Sequence, residues 1–512
     1  MVMKPTPHLE LVQPRPQLPS ALGALAEAAN AEDAFQRLQS WSRSRAALTA
    51  PADHVEQELH RGGLELLRRL LDENFQARGV GDVGDAVARQ DVGGETTRLG
   101  YRRLHPCEYE SIFGTVPVDR LGYGAPGEPS IHPLDEELNL PERRYSYVVQ
   151  ERAARLAARG PFDEAADEVS KTTAACLPKR QLEEVVVDGA EDFDTFYEAR
   201  TSALPPPETT GVIMVAGVDC KGVPRHRTEE EREETQPVRL GSGEKRTKKK
   251  MATVASVHTT DPHVRTPEEI VAQLMDPNPP QPEQSKPKAE HRRIWASLLK
   301  SKDEVIKEMA EEMKRRDPDG QKIAVCLTDG EEALKTRTEK HLQKVFPWII
   351  LVLDIIHVLE YLWKAAHAFH AAGSEEARLW VRERLLHILQ GGVSRVVAGM
   401  RQSATKQGLS AAKRRLVDKA CDYFLKNKDR MDYGYYLAVG LPIASGMVEG
   451  ACGHLVRDRM ELTGALWNVE AERAEAVLKL RALDKSGDLE AYWDFHVIQE
   501  RNRLYHQAWK AA

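Results

Sequence analysis

The sequence predicts an α/β core whose mixed sheet has flanking helices. An all-helical insertion interrupts it, and a mainly helical N-terminal region with a small β ribbon precedes it. Three observations carry this. Apolar runs at 212–218, 323–327 and 348–353 lack helical spacing and read as buried strands. The second and third are separated by one helix-length segment, a βαβ arrangement that makes them parallel. Most of the remaining chain repeats its apolar residues with helical period.

The 512 residues leave room for several domains, and the net charge of -7 is not that of a chain basic all over. Any nucleic-acid contact must then come from local basic patches. The six cysteines include no CxxC pair, which argues against a zinc ribbon or a disulfide framework and fits a reducing cytoplasm. No window approaches the apolar length of a membrane span, so no membrane partner is expected.

In chain order, residues 1–20 are proline-rich and polar and read as a disordered arm. Residues 21–90 have helical spacing. Residues 91–140 alternate apolar and polar residues between Gly and Pro, the pattern of a small antiparallel ribbon, ending in a polar turn around PLDEELNLPERR. Within 141–205 come a helix over 145–158, a short one over 162–171, and a third starting near Pro178 with Lys179 and Arg180. That outline suits a helix-turn-helix reading DNA, although plain packing of three helices would look the same. The core opens at 206 and runs to 354. Its first strand ends on Asp219, where a turn aspartate would serve as well as a functional one. A basic run, Lys245, Arg246, Lys248, Lys249 and Lys250, then feeds a second strand over 251–260. It is either a solvated loop or a hold on a phosphate backbone. One or two helical turns follow over 268–275, then a proline loop over 276–287, and a long charged helix over 294–316. The next strand ends on Asp329-Gly330 and the third on Asp354. Residues 355–440 form the helical insertion. Residues 441–512 return to the core as helices.

The segment 440–467, GLPIASGMVEGACGHLVRDRMELTGALW, carries the last signal. Ser445 can cap a helix whose apolar stripe has Glu449 at its edge, with Gly453 and Arg457 on the same face. Gly446, Gly450 and Gly453 cost up to about 1 kcal/mol each in a helix. Close approach of another backbone, protein or nucleic acid, would compensate. Arg457 and Arg459 read as DNA contacts.

Two strand-end aspartates and a helix glutamate suit divalent cations, because Mg²⁺ prefers hard oxygen ligands and Mn²⁺ can substitute. A metal pair would stabilise both the attacking and the leaving oxygens of an in-line phosphoryl transfer. The position of Asp354 is similar to that of Asp329. Gly330 leaves the backbone open to a substrate, whereas Asp354 leads into an apolar helix that it could cap, or it could pair with His357.

VAGVDCKGVP, KKKMATVASVH, CLTDGEEAL, LDIIHVLEYLWKAAHAFH and the 440–467 segment together resemble bacterial insertion-sequence transposases of the DDE class, the ISKra family in particular. FGTVPVDR and PLDEELNLP are similar too, so the resemblance runs from about residue 100 onward. It implies an RNase H-like catalytic core with Asp219, Asp329 and Glu449 as the metal-binding triad, and Asp354 and His357 in a supporting (C/D)xxH motif. It implies Mg²⁺-dependent cleavage and transfer of double-stranded DNA at the element's terminal repeats, by a homodimer or larger assembly on DNA. A metal-dependent nuclease that does not join, or a domesticated DNA-binding protein, shares the same features.

Overall fold

The structure is a computed structural model and describes residues 20–90, 96–200, 205–226, 249–281, 285–463, 465–468, 472–506 and 509–511. The predicted arm, apart from Ser20, lies outside the described residues, as do Lys245, Arg246 and Lys248. The chain forms two compact units, one from Met1–Leu156, Phe162–Val185 and His496–Ala512, the other from Ala157–Pro161 and Val186–Phe495.

The first unit opens with helices α1 (Ala21–Leu25), α2 (Ala31–Ser42), α3 (Arg45–Thr49) and α4 (Ala52–Ala77). Buried Glu58 of α4 accepts the Ala21 amide at 2.7 Å and so caps α1 from outside its own sequence. β1 (Val87–Gln90) falls at the end of the stretch expected to be helical, and among the described residues the expected ribbon holds β2 (Thr96–Leu99), β3 (Tyr101–Leu104), β4 (Cys107–Ser111), β5 (Gly114–Val118) and β6 (Leu121–Gly124). They pair as β1–β2, β3–β6 and β4–β5, all antiparallel. The PLDEEL segment is not a polar turn but helix α5 (Pro133–Leu138), with Pro133 at its first turn and Asn139 left-handed at φ 49° ending it. Helices α6 (Tyr147–Arg159), α7 (Phe162–Thr172) and α8 (Lys179–Asp188) follow. The tail does not end as helix: a strand at Trp509–Ala511 pairs with β1.

The second unit adds a helix not foreseen, α9 (Phe193–Ala199). It is built on a five-stranded mixed sheet. β7 (Ile213–Pro224) and β8 (Lys249–Thr260) form a long antiparallel pair, and β9 (Glu290–Ser297) pairs antiparallel with β8. Between β8 and β9 lies α10 (Pro267–Met275). The long charged helix expected over 294–316 is corrected: its first residues belong to β9, where Ile294, Trp295 and Ala296 are buried. The helix α11 (Lys302–Arg316) starts only after Ser301, which forms a capping box with Glu304. β10 (Ile323–Thr328), α12 (Glu332–Val345) and β11 (Ile350–Leu353) complete a βαβ unit, with β10 parallel to both β7 and β11. The order across the sheet is β11-β10-β7-β8-β9.

Helices α13 (Ile355–Phe369), α14 (Glu375–Leu389), α15 (Val393–Lys406), α16 (Ala411–Lys426) and α17 (Tyr433–Ala438) make up the all-helical stretch. Their apolar faces share one core with the sheet: Val358, Leu362, Leu385 and Phe424 cluster with Val215, Leu327 and Val352. The stretch is therefore packed onto the strands that carry the aspartates. Helix α18 (Gly446–Ala451) continues as a π-helical segment, Cys452–Arg457, and a last turn, Asp458–Met460. α19 (Glu472–Ser486) and α20 (Leu489–Leu504) follow. Among the described residues, no helix is long and apolar enough to cross a membrane.

Candidate active site

Register brings the three aspartates together. Thr328, the last residue of β10, pairs with Val218 on one side and Leu353 on the other. Asp219, Asp329 and Asp354 are the next residues on three neighbouring strands, side by side at one sheet edge. Asp219 does not end its strand, as the apolar run suggested. β8 keeps pairing with β7 beyond it, Asp219 opposite Val254 and on to Pro224 opposite Lys249. The polar half of β7 hid that continuation.

The carboxylates have different surroundings. Asp219 is half-buried; one oxygen accepts its neighbour Cys220 amide at 2.6 Å, the other faces the Cys452 thiol at 3.4 Å. Among the described residues, Asp329 accepts only the Glu331 amide, at 2.9 Å, in a local turn. Burial raises its pKa above the ordinary carboxylate value, and the Asp219 charge adds to this. Asp354 is fully buried and caps α13. It accepts the Ile356 amide at 2.7 Å, and the Ser445 amide at 2.8 Å together with the Ser445 hydroxyl. Ser445 therefore does not cap α18 with its side chain, as the sequence suggested, because its hydroxyl is given to Asp354.

Glu449 reaches the same edge from α18. Gly217, two residues before Asp219, makes room for that helix: a Cβ there would lie 3.2 Å from the Val448 Cβ. Burial raises the Glu449 pKa, and Asp354 and Asp219 raise it further, whereas His357 lowers it. His357 acts on Asp329 in the same sense. A Cβ on Gly446 or Gly450 would meet nothing within 4 Å. Among the described residues, then, no protein backbone compensates for these two glycines, and that side of the helix is open.

Three groups that sequence reading missed complete the site. The Tyr423 ring, stacked on Tyr361 with centroids 3.8 Å apart, lies where a Gly330 Cβ would be, 2.1 Å from its Cε2. The opening expected at Gly330 is therefore filled by the chain's own α16. Buried Arg430 donates to the Thr328 hydroxyl at 2.8 Å, to the Asp329 carbonyl at 3.5 Å and to Asn427. Arg481 donates to the Leu455 carbonyl at 2.7 Å and to the His454 carbonyl, supplying partners inside the π-helical segment. Apart from the Arg430–Asn427 bond, these contacts span many residues of chain, and no local pattern announces them.

The cations are placed unequally. Arg459 is not a surface contact: it is buried, donates to the Ala157 carbonyl at 3.1 Å and lies over the Trp467 ring. The orphan carbonyls at the end of α6 draw it inward. Arg457 is exposed beside Gly453, with Asp458 at 3.8 Å. Lys249 and Lys250 are strand residues of β8 rather than loop, and Lys249 pairs with Glu461. Lys179 pairs with Asp163, while Arg180 is exposed, 3.7 Å from Glu184.

Among the described residues, no three His, Cys, Asp or Glu side chains stand close enough to enclose a metal ion as placed. The donors present are all carboxylates, the hard oxygen type that a divalent cation takes. Asp329 and Glu449 are raised by burial and by other carboxylates, the electrostatic load that a hard divalent cation would relieve. No protein-family model and no curated protein matches the chain.

Proposed function

We propose that this chain is a DNA transposase of the DDE class, which binds the terminal repeats of its insertion sequence, cuts at the ends and joins the 3′-hydroxyls to target DNA. The observation that carries the reading is the alignment of Asp219 and Asp329 on adjacent parallel strands, with Glu449 brought over them by the Gly217–Val448 contact. The strand polarities, with the long β7/β8 pair beside the parallel β7-β10-β11 set, support an RNase H-like core.

Asp219, Asp329 and Glu449 would hold Mg²⁺, or Mn²⁺ in its place. Bound there, the cations would supply charge stabilisation for the attacking and leaving oxygens and a lowered pKa for the attacking water or hydroxyl. Asp354 binds no metal in this reading. It fixes α13 and, through Ser445, the start of α18, and so positions Glu449. His357 offsets part of the negative charge around Asp329 and Glu449. The open side at Gly446 and Gly450 leaves space for a nucleic-acid backbone beside Glu449. Lys249, Lys250 and Arg457 would meet phosphates near the edge, and Lys179 and Arg180 those of the repeat. The active form would be a homodimer or larger assembly on DNA in the bacterial cytoplasm.

The test is to incubate purified protein with end-bearing DNA and Mg²⁺ and to map cut and joined strands. Cleavage at the element ends with strand transfer is expected. It should be lost in Asp219→Ala, Asp329→Ala and Glu449→Ala, each with DNA binding retained. Cleavage without joining would make the chain a nuclease. Wild-type cleavage by any of the three well-folded variants would break the triad assignment.

A further inference from the structure

A second feature of the sheet adjoins the start of α18, next to the carboxylate edge. A cavity of about 230 Å³ opens on the face of β7 and β8 that carries Val215 and His258, which are paired in register. The start of α18 and residues after β8 form its walls. Its polar lining is mostly donors: His258, His263, Arg265 and Lys286, with Asp261 as the carboxylate.

Two of these groups lack an ion pair, and a third has a buried nitrogen without a hydrogen bond. Arg265 donates to two carbonyls, His263 at 3.0 Å and Leu441 at 2.5 Å, yet no carboxylate forms an ion pair with it among the described residues. Burial lowers its pKa, although Glu269 acts the other way. Lys286, on the exposed loop before β9, has no ion pair among the described residues either. The buried Nδ1 of His258 has no hydrogen-bond partner, which in a folded protein calls for an explanation. Burial, with the charges of Arg316 and Lys286, pulls that imidazole down to about 4, so at neutral pH it is an uncharged ring.

We propose that this cavity is an anion site that takes one phosphate group, carried either by a nucleic-acid strand or by a free phosphorylated molecule. A guanidinium from the segment after β8 and an ammonium from the loop before β9 line the same cavity. That suits a tetrahedral, multiply charged phosphate better than a flat carboxylate. The imidazole Nδ1 adds a neutral hydrogen-bonding group on the sheet side. Its size admits one phosphate with its sugar but not a duplex. Arg265 is already fixed by its two carbonyl bonds, so little side-chain freedom would be lost on binding.

Equilibrium dialysis of the full chain against radiolabelled inorganic phosphate, without divalent cations, tests this. Saturable binding of one phosphate per chain is expected. Lys286→Gln and His258→Phe should each weaken it roughly tenfold, the scale of losing one charge-assisted or buried hydrogen bond. Lys286 is exposed, so its variant keeps the fold even where substitution of His258 disturbs β8. Competition by short single strands then separates the sources. Displacement by a 5′-phosphorylated strand alone points to a strand end. Displacement by the 5′-hydroxyl strand as well points to a backbone phosphate, and by neither to a free phosphorylated molecule. No saturable binding in the millimolar range, or equal binding by wild type and both variants, would overturn the proposal. The assay involves no cleavage, so its failure leaves the carboxylate reading standing.

Discussion

At the residue scale, Asp329 and Asp354 occupy neighbouring positions and do opposite things. Asp354 has both carboxylate oxygens engaged by α13 and Ser445, whereas Asp329 keeps one oxygen unengaged among the described residues, in a setting that raises its pKa. A carboxyl group whose pKa is raised by folding contributes stability below its unfolded pKa and loses it as pH rises through the folded value. Ionised Asp329 and Glu449 therefore cost stability at neutral pH when no cation is present. Asp329→Asn, unfolded with chelator at neutral pH, should match or exceed wild-type stability, and the difference should shrink below the ordinary carboxylate range. Asp354→Asn should lose about 1–3 kcal/mol under the same conditions, because an amide N–H would face the Ile356 or Ser445 donors. Urea unfolding of both variants checks this; the reverse order would exchange their roles.

At the element scale, the helical stretch is part of the site because α16 presses Tyr423 onto Gly330 and the following turn sends Arg430 to the end of β10. Gly330→Ala should force the ring or the Asp329 turn to move, lowering both stability and Mg²⁺-dependent cleavage. Adding Tyr423→Ala should recover part of the stability, a non-additivity that a thermal denaturation cycle would measure. Strictly additive losses would mean that the two do not meet. The same elements show what a sequence can reveal. The apolar runs of β7, β10 and β11, with Asp219 and Asp329 after them, stand out because strand cores lack polar residues, whereas Glu449 stands out at the edge of a helical apolar stripe. β9 did not, since Ile294-Trp295-Ala296 runs straight into a charged helix and only the Ser301 cap separates them. The end of β7 was hidden because pairing with β8, not its own polarity, extends it. Tyr423 and Arg430 act across about a hundred residues of chain, a distance over which no periodicity reports.

At the scale of the whole molecule, the proposed function requires a chain of net charge -7 to hold DNA through local cations. The first unit holds part of α8 with Lys179 and Arg180, and the second holds the carboxylates, so binding and cutting should be separable by substitution. Neutralising Lys179 and Arg180 should weaken binding to the terminal repeats and reduce the salt slope by about one per lost phosphate contact. Metal affinity should not change. Arg180 should account for most of the effect, because Lys179 is already paired with Asp163. A salt titration that leaves slope and affinity unmoved would shift DNA recognition to other cations. The proposed function requires Asp219, Asp329 and Glu449 to hold the divalent cations. Loading the protein with Fe²⁺ in place of Mg²⁺, generating hydroxyl radicals and mapping the backbone cuts tests it most directly. Cuts clustered near Asp219, Asp329 and Glu449, and lost on competition with Mg²⁺, are the predicted result; strong cutting at Asp354 with none at Asp329 would contradict it.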